Sequence, residues 1–263
     1  MCVAEYIEFM WEDGESRSRA GDTLSGLQHQ SPALKRSLPC SWRLVKAWQK
    51  AELPARAPPI TEEITQALVG AALALGWNDI AVLTWIAFEC LLRTGEMLAL
   101  KKNSLALDLV NNVGVVDLGM TKSGQRAGAK ESVTIEDPSL CRFAEAFLRR
   151  LEPGDPLLRR THADYRNKFK ALCKLLGLEQ WDFKPYSLRR GGATHHFRKH
   201  GALSRTVVRG RWGNAKTARI YLNEGVAVTA SIMNSVQNNG LLHRYRTSFL
   251  KFLATGAKPR ILK

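Results

Sequence analysis

The chain has 263 residues, with 39 Lys or Arg against 24 Asp or Glu, a formal charge of +15. The excess is one-sided: residues 151–263 carry 22 basic against 6 acidic side chains, while residues 1–150 sum to −1. An apolar content of 45% is that of a globular protein, which excludes a disordered chain, and so positive a half favours a polyanion such as nucleic acid over a small metabolite.

Five cysteines (Cys2, Cys40, Cys90, Cys141, Cys173) make an odd number with no C-x-x-C pair. That argues against a disulfide framework or a zinc module and fits a reducing, intracellular compartment, with the thiols expected as small buried hydrophobes. Glu5 and Glu8 near the start are unlike the basic end of a secretory signal. The apolar runs Ile64–Trp77 and Ile80–Leu92 are each too short to span a bilayer, so no membrane partner is expected.

In chain order, residues 1–53 read as short polar helices with an apolar rhythm at Leu34, Leu38, Trp42, Leu44, Val45 and Trp48. Residues 54–60, with Pro54, Pro58 and Pro59, form a stiff extended linker. Thr61 starts a helix, and the apolar run to Leu92 predicts two buried helices broken at Gly76–Asp79. The pattern then becomes strand-like over Leu105–Val110, Val113–Leu118 and Glu131–Ile135, a small antiparallel sheet of three strands. Asp137-Pro138 opens another helix, and Thr161 caps one that ends at Gly177. Ser187 is expected to cap a helix from Leu188 to about Lys199, Ser204 one to about Arg209, and a last helix covers Ala215 to about Leu222. The fold class is mainly α with one small antiparallel sheet.

Three segments stand out: Leu92-Arg93-Thr94-Gly95-Glu96-Met97-Leu98, then Tyr186-Ser187-Leu188-Arg189-Arg190-Gly191-Gly192-Ala193-Thr194, then Gly210-Arg211-Trp212 with Tyr221 nine residues later. Singly each has a plain reading: Arg93 and Glu96 are an i,i+3 ion pair, Arg189 and Arg190 a solvated basic face, and Trp212 and Tyr221 core aromatics. Glycines at 191 and 192 inside a helix are costly and suggest close approach of the backbone to DNA or to another helix.

In this order, with 23 residues from Arg189 to Trp212, the segments resemble the tyrosine recombinase (phage integrase-like) family over about residues 60–225, and especially recombinases of eukaryotic mobile elements. The resemblance implies a recombinase catalytic domain over 61–225, preceded by a partial helical core-DNA-binding region at 1–53, shorter than the family's N-terminal clamp. It leaves residues 226–263 as a helical, basic tail of the kind that in relatives packs on a neighbouring protomer.

It also implies metal-independent and ATP-independent strand cleavage of double-stranded DNA, in site-specific recombination or integration, by a homo-oligomer (a tetramer on DNA) that needs no cofactor. Tyr221 would be the nucleophile of a 3′-phosphotyrosyl intermediate, and Arg93 and Arg189 would hold the phosphate. Lys122 would protonate the leaving oxygen, with Lys130 as its rival, and Trp212 would donate an indole N–H.

The chemistry suits these residue types. A covalent phosphotyrosine conserves the phosphodiester bond energy, and guanidinium forks bind two oxygens each while staying charged. One departure matters: where the family's second box has His, this chain has Tyr186, which keeps its place in the catalytic set but can only donate a hydrogen bond, so slower chemistry, or activation of Tyr221 by arginines and solvent alone, is expected. Arg190, Arg198, Lys199, Arg205, Arg209 and Arg211 are expected to contact DNA, since residues 183–223 contain ten basic side chains and no acidic one. The alternatives are a decayed recombinase-like protein that only binds DNA, a type IB topoisomerase and a basic RNA-binding protein. The expected site of action is intracellular, the nucleus in a eukaryotic host and otherwise the cytoplasm or nucleoid.

Overall fold

The computed structural model describes residues 2–51, 57–121, 124, 128–235 and 239–260. It divides into two compact units, Met1–Arg56 and Ala57–Lys263. Of the linker 54–60, only 57–60 lie within the described residues.

The first unit is built from α1 (Val3–Glu12), α2 (Arg17–Gln30), a 3₁₀ turn (Pro32–Arg36) and α3 (Pro39–Ala51). Ser16 caps α2 by accepting from the Arg19 amide. Ile7, Met10, Ala20, Leu24, Leu38 and Trp48 close a small core, with Trp11 stacked 5.7 Å from Trp48.

The second unit grows around α4 (Glu62–Ala74) and α5 (Asn78–Glu89). Thr61 Oγ1 caps α4 by accepting from the Ile64 amide at 3.3 Å, and Gly76 turns the chain between the helices at φ +73°. Both helices are apolar nearly all round, so they take the centre of the core. Leu92 leads into the short α6 (Thr94–Leu98), which precedes the sheet: β1 (Leu105–Asp108), β2 (Val113–Gly119) and β3 (Glu131–Ile135), antiparallel in that order. Val116 pairs with both Leu105 and Val133, which sets the apolar face of all three strands inward. Asp137 and Thr161 cap α7 (Pro138–Leu148) and α8 (His162–Leu175).

The remaining helices are α9 (Pro185–His200), α10 (Leu203–Arg209), α11 (Ala215–Arg219), α12 (Glu224–Met233) and α13 (Gly240–Thr255). Three of these helix boundaries differ from the sequence expectation. Pro185 supplies a ready first-turn φ, so α9 begins two residues before Ser187, whose hydroxyl accepts from the Lys184 amide from inside the helix. Likewise α10 begins at Leu203, ahead of Ser204. Asn214 caps α11, which stops at Arg219, so Tyr221 sits in the turn beyond it.

Within residues 226–263, α13 packs on α4 of the same unit, where Tyr245 and Phe249 are buried and Gly70 leaves room for the Tyr245 carbonyl. Among the described residues no helix is long and apolar enough to cross a membrane.

Candidate active site around Tyr221

Helix α9 is the platform of the site. Tyr186, Arg190 and Thr194 recur at i, i+4 and i+8, so they form one row on the helix surface. All three touch the turn that carries Tyr221. The Tyr186 hydroxyl donates to the Tyr221 hydroxyl at 2.7 Å, and Arg190 Nη2 donates to the Ile220 carbonyl at 3.2 Å. Thr194 Oγ1 lies 3.5 Å from the Tyr221 carbonyl and accepts from the Asn223 amide at 3.3 Å. Arg190 also donates to the Ala57 carbonyl at 2.6 Å. The nucleophile candidate is therefore held by backbone as well as by ring.

Arg189, one position along, is fully buried. Its guanidinium donates to the carbonyls of Leu91 and Gly210 and lies 4.9 Å from the Trp212 ring and 5.4 Å from the Tyr221 ring. Burial first, and then the charges of Arg211 and Arg93, draw its pKa down to about 10, so it stays cationic at neutral pH. Its Nε has no hydrogen-bond partner among the described residues.

Leu91 adopts φ +51°, a left-handed conformation costly for a side chain of this size. The strained turn aims its carbonyl at both Arg189 and Arg211, the latter at 3.3 Å. Two residues on, Arg93 begins α6 and is one-third exposed. It pairs with Glu96 at 2.5 Å, and its amide donates to the same carboxylate at 2.8 Å.

Arg211 does not project from the surface. It sits at φ +56° with its side chain 6% exposed, pairs with Glu96 at 2.7 Å and lies 3.4 Å from Glu131. Glu131 in turn accepts from Thr121 Oγ1 at 2.6 Å. Burial pushes the Glu96 carboxyl up, but the Arg211 charge and the hydrogen bonds from Arg93 outweigh it, leaving the group below its ordinary value. A chain of paired charges thus runs from Arg93 through Glu96 and Arg211 to the start of β3.

The phenol of Tyr221 is enclosed by donors. Its ring lies 4.7 Å from the Trp212 ring and 6.0 Å from the Tyr186 ring. Burial opposes its ionisation. The Tyr186 hydrogen bond, the Arg189 charge and the nearby Trp212 and Arg189 donors act the other way and win, so the phenol is held below its ordinary pKa. Tyr186 moves oppositely: burial, then its bond to Tyr221, raise it. Trp212 is buried, and its indole N–H has no hydrogen-bond partner of ordinary geometry among the described residues.

The structure thus brings Tyr186, Arg189, Trp212 and Tyr221 together, with Arg93 joined to them through Glu96 and Arg211. Lys122 lies outside the described residues, and Lys130 is exposed just before β3. Among the described residues no group of three or more His, Cys, Asp or Glu side chains is placed to hold a metal ion.

Three of the side chains expected to contact DNA are held inside the protein. Arg190 donates to the Ala57 and Ile220 carbonyls. Arg209 is buried and paired with Glu89 at 3.2 Å and Glu136 at 3.1 Å, and Arg211 is buried between Glu96 and Glu131. Acidic side chains distant in sequence supply the partners that residues 183–223 lack. Arg198, Lys199 and Arg205 are exposed. Arg198 and Lys199 line a cleft with Thr61, Glu62 and His195 that does not include Tyr221. Lys216 and Arg219, on the helix leading to Tyr221, are exposed as well.

Gly191 and Gly192 serve packing within the protein: a methyl at either would strike the Ile60 or the Phe88 backbone. Cys90, Cys141 and Cys173 are buried, but Cys2 and Cys40 are exposed, against expectation. Sequence reasoning missed Leu91, Glu131 and Thr194; the first and second act through a carbonyl angle and a long-range pair, which leave no local signal. Thr194 was legible only as the third member of the 186–190–194 row.

No protein-family model matches the chain, and no curated protein matches it. Solved structures do. The structure of XerA recombinase aligns at TM-score 0.52 and 17% identity, covering 88% of this chain and 97% of that one. The chain has the tyrosine recombinase fold. A second recombinase-fold structure, XerH site-specific recombinase bound to difH substrate in a pre-cleavage complex, aligns at TM-score 0.52 and 17% identity over 82% of this chain and 70% of that one. The Tn1549 transposon integrase in complex with circular intermediate DNA aligns at TM-score 0.54 and 14% identity, over 88% of this chain and 83% of that one. Of the XerH chain in its post-cleavage complex, this chain spans 54%. At such identities the likeness speaks for the fold of this recombinase-like chain, and its chemistry rests on the side chains around Tyr221.

Proposed function

We propose that the chain cuts and rejoins double-stranded DNA through Tyr221, in site-specific recombination or integration. The observation that carries this is the surrounding of one phenol by Arg189, Tyr186 and Trp212, which together favour its ionised, nucleophilic form. Tyr221 attacks a backbone phosphorus, a 3′-phosphotyrosyl bond forms, and the 5′ oxygen leaves. Charge builds on the non-bridging oxygens, where the partly exposed Arg93 supplies a donor and the buried Arg189 beside Tyr221 adds its positive charge. The solved relatives held with DNA agree with a DNA substrate. A homo-oligomer on DNA, a tetramer, is part of the same reading, as is action in the nucleus of a eukaryotic host or otherwise in the nucleoid.

A second reading, DNA binding without turnover, is favoured by Tyr186 standing where a proton-accepting side chain would serve. One experiment separates the two. Wild type and Tyr221→Phe are incubated with nicked suicide DNA substrates, and denaturation-resistant adducts are sought. The cleavage reading expects an adduct with wild type that is absent from Tyr221→Phe. An adduct unchanged in the Phe variant, or binding with no adduct on any substrate, rejects it.

A further inference from the structure

The site as described has a donor against its nucleophile and no side-chain base in contact with it among the described residues. Tyr186 Oη sits 2.7 Å from Tyr221 Oη and donates to it. The groups that face the pair are Arg189 and Arg190 from α9 and Trp212 from the segment after α10, all of them donors. Tyr186 is 38% exposed, so one side of the pair is open to water. Its position is not accidental to the helix, because Arg190 and Thr194 in the same row fix the backbone on either side of Tyr221.

Resting on the cleavage reading above, we propose that Tyr186 acts in catalysis as a fixed hydrogen-bond donor to the nucleophile and not as a base. It stabilises the Tyr221 oxygen as an anion by hydrogen-bond donation, before attack and again when the rejoined strand expels it, while water or hydroxide takes the Tyr221 proton. In attack, the bond from Tyr221 Oη to phosphorus forms and the bond from phosphorus to the 5′ oxygen breaks. The phenol proton passes to solvent, the 5′ oxygen gains a proton from solvent or a cationic side chain, and no electrons are exchanged. Rejoining reverses each of these. Tyr186 keeps its own proton throughout, which is why a phenol suits the position: burial and its neighbour both oppose its ionisation. A donor of this kind lowers the free energy of the phenolate both as nucleophile and as leaving group, so it speeds both half-reactions.

The test begins without DNA. The full chain has five tyrosines, so the tyrosinate absorbance of wild type, Tyr186→Phe and Tyr221→Phe can be followed against pH. The expected result is one tyrosine in wild type that ionises ahead of the rest, missing in Tyr221→Phe and moved up by about one pH unit or more in Tyr186→Phe, as loss of a hydrogen bond to a charged group implies.

On suicide substrates, Tyr186→Phe should cleave about tenfold to a hundredfold more slowly near neutral pH, the gap narrowing as pH rises. Tyr186→His, which offers an acceptor instead, should add an inflection in the imidazole range that wild type lacks, and it keeps the test alive should the Phe variant fold poorly. An early-ionising tyrosine that persists in Tyr221→Phe, or stays put in Tyr186→Phe while adducts form normally, overturns this inference alone. So does an adduct mapped to Tyr186 in Tyr221→Phe. The expected titration with no adduct on any DNA overturns the cleavage reading beneath it, and the catalytic role of Tyr186 with it.

Discussion

Arg211 Nη2 lies 2.7 Å from Glu96 Oε2, and this buried pair joins the segment that carries Arg93 to the segment that carries Trp212. The two residues are 115 positions apart in the chain. Through Glu131, on the other side of the same guanidinium, the pair reaches the sheet.

Arg211→Ala leaves two mostly buried carboxylates, Glu96 and Glu131, without their shared cation. Removing one member of a buried pair typically costs about 3–5 kcal/mol, so the variant should lose a large part of its stability in urea or thermal unfolding. Arg211→Met combined with Glu96→Gln, which removes the charges of the closer pair, should recover much of the loss. Equal loss in the single and double variants would mean that the packing of the Arg211 turn, and not the charge pair, is what matters.

Gly191→Ala places a methyl on the Ile60 backbone, which no side-chain rearrangement relieves. Overpacking costs about 1–3 kcal/mol, occasionally more, and a backbone collision belongs at the upper end. The thermal midpoint of Gly191→Ala should fall well below that of Gly213→Ala, at an exposed glycine with open space around it.

His196 sets part of the acid sensitivity. Its Nδ1 lies 2.9 Å from Thr206 Oγ1, and burial, then the charges of Arg209 and His200, lower its pKa from 6.5 to about 4. The unfolded chain therefore takes up a proton that the folded chain refuses between those values, so stability falls as pH drops from about 6.5 to about 4, by at most about 1.4 kcal/mol per pH unit. Melting curves across that range should be flatter in His196→Gln than in wild type. Parallel curves would assign the acid loss to other groups, such as Glu96.

Arg205 and Arg209 lie four positions apart, and their substitutions should behave oppositely. Arg209→Ala leaves the mostly buried Glu89 without its cation, so its thermal midpoint should drop while the salt dependence of DNA binding stays as in wild type. Arg205→Ala should leave the midpoint unchanged. If Arg205 meets a phosphate, its loss should reduce the slope of log affinity against log salt by about 0.9. Binding isotherms at several salt concentrations decide this.

Much of the fold could be read along the chain because its signals are local. Thr61, Asp137 and Thr161 cap the helices that follow them, and the apolar alternation of 105–135 marks three strands. Caps and periodicity act over a few residues, so neighbours in sequence are enough. The three segments around Arg93, Arg189 and Tyr221 were legible by wording and spacing. Local signals alone therefore give the elements, the family resemblance and the candidate residues.

What each of those residues touches follows from long-range packing. Ten basic side chains with no local acid looked alike, yet Arg209 and Arg211 turn inward to Glu89, Glu136, Glu96 and Glu131, while Arg198, Lys199 and Arg205 stay in water. Gly191 and Gly192 meet the Ile60 and Phe88 backbone, and Tyr186 meets Tyr221. The reason is one of range. A charge is worth little at the surface and much when buried, and burial depends on chain segments a hundred residues away, which no local pattern records.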